Sequence, residues 1–99
     1  MREIMTIIDC MNEELHDAKH YAQKCIKAKS VDSTMAKHYQ EMANDELKHA
    51  MYLYENAAKA IEEKKRSSGT SSEILEEIWD KTQDDYTECT AKVRCMMTM

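Results

Sequence analysis

A chain of 99 residues with no Pro, no Phe and a single Gly reads as one domain of long helices, because sheets and tight turns draw on residues it lacks. A formal charge of −5 and a pI near 5.3 argue against nucleic acid and anionic membranes as partners. No run approaches the roughly 18 apolar residues of a membrane span, and MREIMTIIDCMNEELHD turns acidic too early for a secretory signal, so a cytoplasmic location is expected.

Helix A is predicted over about residues 2–29. Ile4, Ile8, Met11, Leu15, Ala18, Ala22 and Cys25 recur at spacings of four and three, which traces one helical face. A neighbouring stripe, Ile7, Met11, Glu14, Ala18, Tyr21 and Cys25, follows the same rule with one polar exception, Glu14. The stretch Ser30-Val-Asp-Ser-Thr34 offers N-cap residues and no apolar period, so it is expected to connect two antiparallel helices.

Helix B is predicted over about residues 34–65, with Met35, Tyr39, Met42, Glu46, His49, Leu53, Ala57 and Ala60 as its inward stripe. Two polar residues, Glu46 and His49, stand in the middle of that stripe. The basic run Lys64-Lys65-Arg66 fits a helix C-terminus, where the macrodipole favours cations, better than a targeting signal. Residues 66–72 read as a linker in which Gly69 reverses the chain, and Thr70 with Glu73 fits a capping box. Helix C is predicted over about residues 73–97, with Leu75, Trp79, Thr82, Tyr86, Cys89, Val93 and Met96 on its packing face. The cysteines form no CxxC pair; Cys10, Cys25 and Cys89 fall on apolar stripes and are expected to be reduced core thiols. His38 is expected at a surface or boundary position.

A lone ExxH is weak evidence of function, since on a charged face it is only a solvated ion pair. Position changes that reading. Carboxylates on inward stripes cost several kcal/mol unless they find partners or a metal. With the A–B turn near residues 31 and 32, Glu14 lies roughly 17 residues before it and Glu46 and His49 roughly 14 to 18 after it, so all three converge at one depth. One Glu on one helix and ExxH on the next is half of a four-helix di-metal carboxylate site. Helix C carries neither a further Glu on its stripe nor a second ExxH, so a second chain would have to supply the other half.

Glu14 with Tyr21 seven residues on, followed by Glu46-Leu-Lys-His49, resembles the first half of the ferritin-like superfamily, in particular rubrerythrins and the small encapsulated ferritins. The resemblance covers about residues 4–62. It implies an all-α fold in which an antiparallel helical hairpin plus a third helix dimerises to complete a four-helix core. It further implies iron binding by Glu14, Glu46 and His49, two Fe per homodimer, with Tyr21 as a nearby hydroxyl and Glu13 and His16 flanking an entry site. Manganese or zinc suits the same oxygen and nitrogen donors.

The expected function is therefore a ferroxidase that binds Fe²⁺ at a site shared between subunits and oxidises it with O₂ or peroxide. The same resemblance admits a higher ring oligomer and an encapsulating shell protein around it. The sequence departs from the family in having no second ExxH and no CxxC iron module. A non-catalytic helical scaffold that binds a partner, or a metal buffer without turnover, uses the same residues differently. In a plain exposed face, Glu13 and His16, with Asp17 and His20 beside them, need no role at all.

Overall fold

The structure, a computed structural model, describes residues 1–69 and 72–99. It is all-helical: α1 spans Arg2–Ala28, α2 Ser33–Ser68 and α3 Glu73–Met97. α1 and α2 form an antiparallel hairpin, and α3 packs chiefly on α1, meeting α2 at few points. The molecule is a rod of 56 × 16 × 15 Å. Its length is that of α2, whose 36 residues extend about 54 Å at 1.5 Å each. Among the described residues no helix is long and apolar enough to cross a membrane.

Local chemistry sets the ends. Asp32 caps α2, its Oδ1 accepting from Met35 N at 3.1 Å. α2 runs three residues past the expected end and stops at Gly69, whose φ of 81° lies in the left-handed region. The Ser72 hydroxyl caps α3 by accepting from Leu75 N; Thr70, expected in that role, lies outside the described residues.

The expected inward face of α1 is the buried one, residue for residue. On α2 the stripe needs correction. Ala57 is buried as expected, but the other buried residues, Ala36, Ala43, Leu47, Ala50 and Ile61, lie about one residue round the helix from the expected face. Four of the buried residues are alanines spaced by seven; Ala43 and Ala50 share a core with Ala18 and Ala22 of α1, and Ala57 packs with Ile4 and Ile8 further along. Small side chains let the two axes approach, so the seam follows alanine and the longer Met42, Glu46 and Leu53 are pushed to its edge. Cys10 is exposed and not the core thiol expected of it, because the seam passes on its far side; Cys25 is buried and Cys89 half-buried.

Two apolar clusters fill the rod. One joins Met11, Leu15, Ala18, Ala22, Ala43, Leu47, Ala50, Val93 and Met97; the other joins Ile4, Ile8, Ala57, Ile61 and Leu75. Between α2 and α3, Tyr54 stacks on Tyr86 at 4.3 Å and tilts against Trp79 at 5.2 Å, and Gln83 Nε2 donates to the Tyr54 hydroxyl. The flank of α2 bearing Tyr54 and Met51 therefore looks toward α3. The opposite flank, with Met42, Glu46, His49 and Leu53, has no helix over it among the described residues.

Candidate metal centre

Glu14, Glu46 and His49 meet on that uncovered flank. α1 delivers Glu14 from beside the buried Leu15 and Ala18, and α2 delivers Glu46 and His49 one turn apart beside Leu47 and Ala50. His49 Nδ1 lies 3.5 Å from Glu14 Oε2 and 3.8 Å from Glu46 Oε1. One ligand atom from each of the three falls within 4.8 Å of the others.

Burial is graded across the group. The Glu46 and Glu14 side chains are 21% and 30% exposed, whereas the His49 side chain is 60% exposed and forms the mouth of the site. This corrects the expectation that all three are inward residues: the carboxylates sit at the edge of the α1–α2 seam and the imidazole stands outside it.

The electrostatics are those of two acids held together. Hydrogen bonding with Glu14, burial and the Glu14 charge push the Glu46 pKa up to about 7, with Asp17 adding to the rise and His49 opposing it. Glu14 Oε2 is buried and has no hydrogen-bond partner among the described residues. An orphaned carboxylate oxygen beside a second carboxylate and an imidazole is a poor arrangement for a closed polar network and a fitting one for a divalent cation. Hard oxygen donors with one nitrogen suit Fe²⁺, Mn²⁺ or Zn²⁺ by donor type.

The other expected site residues fall elsewhere. Tyr21 lies about 10 Å along α1 from Glu14, its ring stacked on Tyr39 at 6.5 Å. Glu13 and His16 are exposed on the outer face of α1, where with Asp9, Asn12 and Asp17 they line an open groove. Asp17 is the residue that sequence reasoning undervalued. Placed with the outer cluster by its number, it is close enough for its charge to act on Glu46. Its position three residues after Glu14, hence on an adjoining part of the same helical face, was the available signal. His38 is exposed, as expected.

No family model, no curated protein and no solved structure matches this chain.

Proposed function

We propose that the chain is a ferritin-like protein that binds Fe²⁺ with Glu14, Glu46 and His49 and oxidises it to Fe³⁺ at a site shared between two copies. The observation that carries this is the convergence of two carboxylates and an imidazole from two helices, with Glu14 Oε2 buried and unpartnered beside them. The resemblance of Glu14 and Glu46-Leu-Lys-His49 to the ferritin-like pattern supports the choice of iron.

Fe²⁺ is the substrate, and O₂ or peroxide accepts the electron each ion gives up. The protein's part is positioning. Glu14 and Glu46 supply the negative charge that holds divalent ions, and Glu46 must release its proton to do so. His49, largely open to solvent, gives the ions and the departing proton a path. Three ligand atoms leave coordination positions over, and the flank that carries them lacks a covering helix. A second copy laid across it doubles the set to four carboxylates and two imidazoles, the complement of a di-metal site.

A second reading has its own observation: His49 Nδ1 lies 3.5 Å from Glu14 Oε2 and 3.8 Å from Glu46 Oε1, so the imidazole bridges the two carboxylates without any ion, as a scaffold would require. Aerobic Fe²⁺ titration followed by absorbance separates the two. Wild type is expected to oxidise and retain iron well above a Glu46→Ala variant; equal rates and equal metal content in both sink the ferroxidase reading. Bound metal with no oxygen uptake leaves a buffer.

A further inference from the structure

The net charge of −5 conceals a basic pole. Between residues 24 and 37, which span the end of α1, the hairpin turn and the start of α2, Lys24, Lys27, Lys29 and Lys37 are accompanied by a single acid, Asp32. All four lysines are exposed, and the Lys29 ammonium also donates to the Met97 carbonyl at the end of α3, at 3.3 Å. Asp32 is moreover occupied, its carboxylate capping α2. The helix dipole accounts for Lys27 in the last turn of α1. It does not account for Lys37, the fifth residue of α2, which lies past the first turn and has Glu41 one turn on.

The same end presents apolar surface. Val31 is 85% exposed at the tip of the turn, a position where a polar residue is the usual choice, and Met35 is exposed beside it. Nothing in the core uses either side chain. Lys24 Nζ lies 5.6 Å over the Tyr39 ring, and Lys24, Lys27, Ala28, Val31, Asp32 and Tyr39 line a shallow, largely apolar recess.

Rod geometry decides whether the acidic remainder cancels this pole. Asp17, Asp45 and Glu46 stand about 20 Å from the turn, and Glu41 about 13 Å, at 1.5 Å per residue. Ionic screening acts over about 8 Å at physiological salt, so the carboxylates near 20 Å are largely invisible to a surface that touches the tip, where Val31, Lys27 and Lys29 stand nearest, while Glu41, one turn from Lys37, offsets that lysine. A convex end with a protruding aliphatic side chain ringed by lysines complements a flat, negatively charged, apolar-cored layer better than it complements a segment of chain needing a cleft.

We propose that the hairpin turn, through Val31, Met35 and the ring of Lys24, Lys27, Lys29 and Lys37, docks the rod end-on to an anionic lipid bilayer. The proposal is independent of the metal site. Cosedimentation of the full chain with vesicles, in EDTA so that no ion bridges lipid to Glu14, tests it. Binding to phosphatidylcholine vesicles containing roughly 30 mol% phosphatidylserine is expected to exceed binding to pure phosphatidylcholine by about tenfold and to weaken with salt. Lys24→Glu with Lys27→Glu, and separately Val31→Asp, are expected to lose that preference with helical content unchanged by circular dichroism. Lys59→Glu with Lys64→Glu, an equal change in charge at the other end, is expected to keep it. Equal binding to both vesicle types, binding that survives the turn variants, loss in the far-end control, or displacement of the protein by a soluble polyglutamate peptide with no bilayer preference would each overturn it.

Discussion

His49 Nδ1 stands 3.5 Å from Glu14 Oε2 across the edge of the α1–α2 seam, so one imidazole and one buried oxygen that accepts no hydrogen bond link the two long helices. Removing the carboxylate while keeping its shape tests what that link is for. Glu14→Gln replaces a buried charge-bearing group with an amide that can donate to Glu46, and is expected to raise the stability of the metal-free protein by about 1 kcal/mol. The same variant is expected to lose metal affinity by at least about tenfold, since a carboxamide carries no charge to offset a cation. Thermal unfolding with and without Mn²⁺ checks both halves; a destabilised apo protein would mean that Glu14 serves the fold.

The pH dependence follows from Glu46. Its folded pKa of about 7 lies above the ordinary carboxylate value, so over the interval between the two the folded chain holds a proton that the unfolded chain has released. Folding stability therefore falls as pH rises from the unfolded value through about 7, and levels off beyond it. The loss is expected to be about 3 kcal/mol at most, or several degrees in Tm between pH 5 and pH 8. Glu46→Gln cannot ionise, and its Tm is expected to vary much less over the same range. Metal affinity should show the opposite trend, strengthening as pH passes through about 7 because the ligand must be deprotonated.

The two helical faces show how far a pattern of residues determines a fold. On α1 every position of the Ile4-to-Cys25 stripe is buried, because large apolar side chains mark that face, while Cys10, expected among the core thiols, lies off that stripe and is exposed. On α2 the same rule followed Met35, Tyr39, Met42 and Leu53, the large side chains, while the seam runs along Ala36, Ala43, Ala50 and Ala57. Alanine is equally at home on a solvent face, so its seven-residue repeat says nothing until a partner helix is there to approach it. Depth is more robust than rotation: counting from the turn brings Glu14 level with Glu46 and His49 whichever way α2 is turned, and the three side chains do meet. How α3 sits was not legible, since its stripe names a packing face but not whether α1 or α2 receives it.

Leu75 anchors α3. It is fully buried in the cluster of Ile4, Ile8, Ala57 and Ile61, so it touches both helices of the hairpin near the start of α3. Leu75→Ala is expected to cost about 2–5 kcal/mol by transfer loss and the cavity left behind. Urea unfolding measures it. A cost below about 1 kcal/mol would indicate that α3 adds little to the core.

Gly69 ends α2 with a φ of 81° and no heavy atom within 4 Å of where a Cβ would sit. Space is not the constraint there; backbone conformation is. Gly69→Ala is expected to cost about 1 kcal/mol and Gly69→Asn less, because asparagine tolerates the left-handed region better. Equal stability of the alanine variant would mean that the chain leaves α2 by another route.

Leu53 separates assembly from folding. It is half-buried on the flank of α2 that carries Glu46 and His49, and it packs only against the outside of the main core cluster. If a second copy covers that flank, Leu53 enters an apolar interface on either side of the metal ligands. Leu53→Lys then places a charge in that interface while its aliphatic stem still covers the core edge. Its thermal stability as an isolated chain is expected to fall by less than about 1.5 kcal/mol. Self-association is expected to drop by at least about tenfold, and with it any strengthening of association by metal, because four carboxylates brought together repel one another until cations neutralise them. Sedimentation velocity of wild type and variant, each with EDTA and with Mn²⁺, gives the answer. A wild type that stays monomeric while binding metal with full affinity would show that each chain's Glu14, Glu46 and His49 act alone.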